Sequence, residues 1–171
     1  VEESLASLPT ESVPDDAPAF LLSRLPAPGE VEEISIHPPS GVTSIWLSNG
    51  VRAHHRAMDS RPGMVVIAMT IAGGRIEETE AQRGLTQASA ALWRTPASES
   101  RSAGAVRRIL LSQPVRLSAS IGDDGIRLSA TCAREHAETA MQLLHLLLTE
   151  PMIEAPTFQR WRRAMISEIE G

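Results

Sequence analysis

Five histidines and one cysteine, with several paired carboxylates, are the residues of this 171-residue chain best suited to hold a metal or move a proton. Their spacing argues against a shared site. His54 and His55 are neighbours in a strand-like run, so their side chains point to opposite faces. His136 and His145 lie nine residues apart in a helical run, roughly 900° of rotation, which places them on opposite sides. His37 stands apart from both pairs. Cys132, alone in an alternating run, reads as a small buried hydrophobe and excludes both a disulfide framework and a multi-cysteine zinc site. No serine sits in a G-x-S-x-G turn, and Ala72-Gly73-Gly74-Arg75 is too short to cradle phosphate and lacks the lysine that would bind it. Glu77-Glu78 and Asp123-Asp124 fall in polar segments and read as solvated turns.

Composition narrows the classes further. The chain is 42% hydrophobic, with two Phe, three Trp and no Tyr, so its core is aliphatic. The net charge of −5, with all 16 basic residues arginine, argues against nucleic acid, whose phosphates need a basic face. The longest apolar run, Met64 to Ala72, is far short of the roughly 20 residues of a membrane helix, and no signal peptide opens the sequence. Neither a nucleic acid nor a membrane is an expected partner. The start at Val1 and the end at Glu170-Gly171, still within a helical pattern, suggest an internal fragment.

The elements that would position any site follow from periodicity. Residues 1–30 carry Pro9, Pro14, Pro18, Pro26 and Pro28 and read as a linker, from which Phe20-Leu21-Leu22 can dock on the domain of residues 31–171. Val31 to His37 is a weak strand stopped by Pro38-Pro39. Asn49-Gly50 between two strand-like runs predicts a hairpin. Gly63 to Ala72 is nearly all apolar, as in a central strand covered on both faces. Leu85 to Trp93 and Ala103 to Leu111 take helical spacing, and two alternating strands follow, Val115 to Ile121 and Ile126 to Cys132. Glu135 to Thr149 predicts a largely buried helix with Ala137, Met141, Leu144 and Leu148 on its stripe, widened by Leu143 and Leu147. Pro156 opens a last helix with Phe158, Trp161, Met165 and Ile169 on one face. The order predicts an α+β domain, one mostly antiparallel sheet covered by helices.

That order resembles the opening of the pitrilysin/insulinase-type zinc peptidases. Trp46-Leu47-Ser48-Asn49-Gly50-Val51-Arg52 is similar to their "LxNGxxV" hairpin. The strand ending Ala72-Gly73-Gly74, with Glu77-Glu78 beyond it, is similar to "GsxxE", and Gly84-Leu85-Thr86 to "GLAH" at the metal-binding helix. The likeness runs from about residue 42 to 171 and includes Met141 to Pro151. Active members carry H-x-x-E-H, two zinc-binding histidines one helical turn apart and a glutamate base. In this register its five positions fall on Gln87-Ala88-Ser89-Ala90-Ala91. Gln87 replaces the first histidine, Ala90 the base and Ala91 the second histidine. The family's third ligand, a downstream glutamate, falls at Glu168, with 76 residues between it and Ala91. By helical geometry alone Glu168 is an ordinary flank residue, roughly 65–80° from the centre of the apolar stripe.

The resemblance therefore implies a chain with no catalytic residue, no metal ligand set and no cofactor of its own. It implies a non-catalytic structural and substrate-chamber domain from the second half of a larger, bacterial zinc peptidase. It implies that the domain of residues 31–171 is incomplete at its C-terminus and that the zinc sits in the active domain of the parent. The implied partners are the catalytic domain of the same chain and the peptide substrate. The alternative is a separate inactive subunit that pairs with an active one. Periplasm and cytoplasm both remain open as compartments.

Overall fold

The computed structural model describes residues 20–170, and within the first helix nothing is described of the side chains of Ala90, Ala91, Leu92 and Arg94. Residues 1–19 of the expected linker lie outside the described residues. The elements run in the order β1 (Val31–His37), β2 (Val42–Leu47), β3 (Arg52–His55), β4 (Met64–Ala72), α1 (Leu85–Arg94), β5 (Ala97–Ser98), α2 (Ala103–Ser112), β6 (Val115–Ile121), β7 (Gly125–Ala133), α3 (Ala137–Thr149), β8 (Pro151–Met152) and α4 (Ala155–Glu170). The class is α+β with antiparallel pairing throughout, as expected, but the strands divide among three sheets. β1-β2-β3 form one, β4-β7-β6 a second, and β5-β8 a short pair.

Asn49-Gly50 makes the predicted hairpin. The Leu47 amide donates to the Val51 carbonyl at 2.9 Å and the Gly50 amide to the Leu47 carbonyl at 2.9 Å. Gly50 closes the turn at φ +83°, a left-handed conformation that glycine adopts without steric cost. The resulting β1-β2-β3 sheet leaves Ile34 and Ile36 exposed.

β4 corrects one expectation. It is an edge strand rather than a central one, and β7 takes the middle of its sheet. Val65, Ile67, Met69 and Ile71 turn towards the helices, whereas Met64 and Val66 are exposed on the other face. Unbroken hydrophobicity signals double burial only where both faces gain a cover. Here β-branched and small residues serve strand propensity on the open face instead. The matching faces of β6 and β7 carry Arg116, Ser118, Ser129 and Arg127.

Two buried clusters share α3. Leu128, Ala130 and Cys132 from β7 meet Ala140 and Leu144, while Val106 and Ile109 from α2 meet Leu143, Leu146 and Leu147. The predicted stripe is thus rotated. Met141 and Leu148 are exposed, and Ala140, Leu143, Leu144 and Leu147 carry the buried face. The cause is that α3 packs on β7 with one side and on α2 with another, so a single 3.6-residue stripe describes neither contact. Cys132 is buried as expected, and desolvation pushes its thiol above its usual range, with Glu135 adding to the shift. The stripe of α4 is only partly covered: Trp161 and Met165 are half-buried and Ile169 is exposed. None of the described helices is long and apolar enough to cross a membrane.

Candidate functional site

The sequence register assigns metal-site positions to α1 and α4, and these two helices pack against each other. What positions α1 is Glu78. Its carboxylate accepts hydrogen bonds from the Gly84 amide at 2.9 Å and the Thr86 amide at 2.6 Å, so two donors at the open end of the helix are satisfied from outside it. The Thr86 side chain, then the Gly84 and Thr86 amides, hold this carboxyl below the usual carboxylate range. The loop that delivers Glu78 is pinned to the β6-β7 turn. The Arg75 amide donates to the Gly122 carbonyl, the Ile76 amide donates to the Asp123 carbonyl, and the Arg75 guanidinium meets the Asp123 carboxylate at 2.9 Å.

Gln87 lies near the start of α1 with its side chain exposed, and its Nε2 stands 3.8 Å from the sulfur of Met165 on α4. Glu168, exposed, follows Met165 by one helical turn. Ala90 and Ala91 are within α1, and their side chains lie outside the described residues. The structure thus brings the helix of Gln87 to the helix of Glu168 and seats a methionine against the glutamine. The sequence pattern marks Met165 only as part of an apolar stripe.

Chemically, this is a poor metal centre. An amide, two alanines by identity and one exposed carboxylate offer neither the imidazoles nor the number of donors that zinc requires, so these residues do not fit the metal the resemblance implies. Elsewhere three of the five histidines find hydroxyl partners. His37 Nδ1 is 2.8 Å from the Ser40 hydroxyl, His54 Nδ1 2.9 Å from that of Ser44, and His145 Nδ1 3.4 Å from that of Thr149. Among the described residues no group of three or more His, Cys, Asp or Glu is placed to hold a metal ion.

The architecture has clear counterparts among solved structures. The periplasmic protease PqqL from Escherichia coli superposes with a TM-score of 0.74 at 18% identity, over 83% of this chain and 16% of that one. The ferredoxin protease FusC, solved as a mutant in complex with Arabidopsis ferredoxin, gives 0.66 at 20% identity over 90% of this chain and 17% of its own. A protease from Helicobacter pylori gives 0.62 at 16% identity over 74% of this chain and 30% of its own. No protein-family model matches the sequence, and no curated protein matches it significantly. The fold is shared with a domain of each of these proteases, as the resemblance read from residues 42–171 expects of the fold. The chain spans between 16% and 30% of the length of these proteases.

Proposed function

We propose that this chain is a non-catalytic structural and substrate-chamber domain of a zinc-dependent metallopeptidase. The observation that carries the reading is the pairing of α1 with α4, which brings the register's metal-site positions together with an amide and a methionine sulfur where the family's ligands would stand. A hydrolytic site needs a group to activate water and a cation to polarise the carbonyl, and the register assigns both roles to residues that cannot perform them. What such a domain supplies instead is shape. The edge of β6, which no strand among the described residues pairs and beside which α1 packs, is a wall along which an extended peptide can lie, and the catalytic domain of the parent provides the zinc.

Two measurements test this. The isolated chain is expected to hydrolyse no peptide and to bind no zinc in equilibrium dialysis, and cleavage abolished by a chelator would overturn the proposal. Removal of residues 20–171 from the parent is expected to abolish peptide turnover while the catalytic domain keeps its zinc. Unchanged turnover would remove the chamber role.

A further inference from the structure

Leu21 is 1% exposed, although it lies in the proline-rich stretch that precedes the first strand and both its neighbours in the apolar trio are more open. It sits in the α2-α3 cluster with Val106, Ile109, Leu143, Leu146 and Leu147. Both of its backbone polar groups are held by side chains. Gln142 Oε1 accepts from the Leu21 amide at 2.9 Å and from the Leu22 amide at 3.2 Å. Arg101 Nε donates to the Leu21 carbonyl at 2.9 Å, and its terminal nitrogen to the Phe20 carbonyl at 3.3 Å. Gln142 is itself buried, and Glu138 orients its amide by accepting from Nε2 at 3.1 Å.

We propose that residues 20–22 are a releasable latch: Leu21, seated between α2 and α3 and clamped by Gln142 and Arg101, fastens the preceding chain to the helical layer and opens without unfolding the domain. Three features make it a latch rather than part of the core. First, the apolar anchor is small: Leu21 is buried and Leu22 packs half-buried against the same cluster, while Phe20 is 54% and Leu25 58% exposed. Second, the clamp consists of side chains, and no backbone ladder ties residues 20–29 to the domain among the described hydrogen bonds. Third, the segment after Leu22 does not pack down, and residues 23–30 are exposed. Leu22 to Ala27 form one wall of an open hollow of about 420 Å³, faced by Ser100, His145 and Glu150, which gives water access to the clamp when the segment lifts. Closure is favoured because an empty seat would leave an apolar hole and a buried glutamine oxygen without its amide donors. The clamp reads backbone and the two leucines, so the position of residue 20 is set by α2, α3 and Arg101 just ahead of α2. This inference rests on residues 20–22, 101 and 142 and is independent of the peptidase reading.

Amide hydrogen exchange on the whole chain, resolved by residue, tests it. The Leu21 and Leu22 amides are expected to be protected, yet to exchange at least about tenfold faster than the central β7 amides, because they open locally. Gln142→Met keeps the volume and removes the acceptor. It is expected to speed exchange at Leu21 and Leu22 by about tenfold. Leu21→Ala is expected to do the same at Leu22 and to speed trypsin cleavage after Arg24 by a similar factor. Both variants should leave β7 exchange unchanged. If the latch amides exchange at the same rate as β7, the segment is an inseparable part of the core and the proposal fails. It fails equally if they are unprotected in the wild-type chain. Should Leu21→Ala not fold, the Gln142→Met comparison decides alone.

Discussion

Gln87 on α1 and Met165 on α4 meet at 3.8 Å, an amide nitrogen against a thioether, at the place where the family register expects a histidine bound to metal. Met165 lies one turn before Glu168, so the third-ligand position is on the helix that already touches Gln87. Gln87→His with Ala91→His restores two imidazoles at i and i+4 of one helix. Isothermal titration is expected to find about one zinc bound per chain in this double variant and none in the wild type. Adding Glu168→Ala is expected to weaken the site by about tenfold or more, since loss of a direct ligand costs at least as much as loss of an outer partner. Zinc affinity indifferent to Glu168 would take that residue out of the register.

Glu78 holds the start of α1 only while it is ionised. Its folded-state pKa is lowered, first by the Thr86 side chain and then by the Gly84 and Thr86 amides, so the stabilisation it gives is present above the unfolded carboxylate value and is lost as pH falls through the folded one. Glu78→Gln is expected to lower the melting temperature at pH 7. The gap between variant and wild type should begin to narrow as pH falls through the ordinary glutamate value of about 4.3 and close only below the lowered folded-state value. A pH-independent gap in paired thermal melts would assign the effect to shape rather than charge.

How far the sequence carried the fold depends on which elements have local causes. The β2-β3 hairpin was legible because Gly50 must take positive φ there, and β6 and β7 because one face is wet and the other dry. β4 was misjudged because its run of Met64 to Ala72 has the same hydrophobicity whether one face is covered or two. The face of α3 was displaced because it answers to two partners from distant parts of the chain. Of the candidate site, the positions Gln87, Ala90, Ala91 and Glu168 came from resemblance, and no pattern announced that Met165 would face Gln87. Gln142 was equally silent: a glutamine on a helix gives no sign that it is buried until the chain it binds, more than 100 residues earlier, is in place.

The α2-α3 cluster makes a paired comparison possible on one helix. Ile109 is 1% exposed and Leu111 is 73% exposed. Ile109→Ala is expected to cost about 2–5 kcal/mol of unfolding free energy, through lost burial and the cavity left behind. Leu111→Ala should stay within about 0.5 kcal/mol, as surface changes usually do. Urea denaturation followed by far-UV circular dichroism separates the two. Equal losses would show that the cluster is not the seat of stability.

Glycine makes the last comparison, because Gly74 and Gly104 meet opposite surroundings. Gly74 has φ +132°, and a Cβ placed there would stand 2.7 Å from the Gly122 carbonyl oxygen and 2.8 Å from that of Asp123, backbone atoms that the loop cannot easily move. Those same two carbonyls accept the Arg75 and Ile76 amides, so the clash would push apart the loop that delivers Glu78 to α1. Gly74→Ala is therefore expected to cost about 2 kcal/mol or more, combining positive-φ strain with the displaced contacts. Gly104, in the first turn of α2, would give a Cβ whose nearest neighbour is the Ser102 hydroxyl at 4.0 Å. Gly104→Ala is expected to stabilise the chain by about 0.4–1 kcal/mol, because alanine loses less backbone freedom on folding. Both are read from the same denaturation curves, and in Gly74→Ala exchange of the Thr86 amide should also rise as its Glu78 partner withdraws. A Gly74→Ala chain as stable as wild type, with that amide still protected, would show that the loop is not what holds α1 in place.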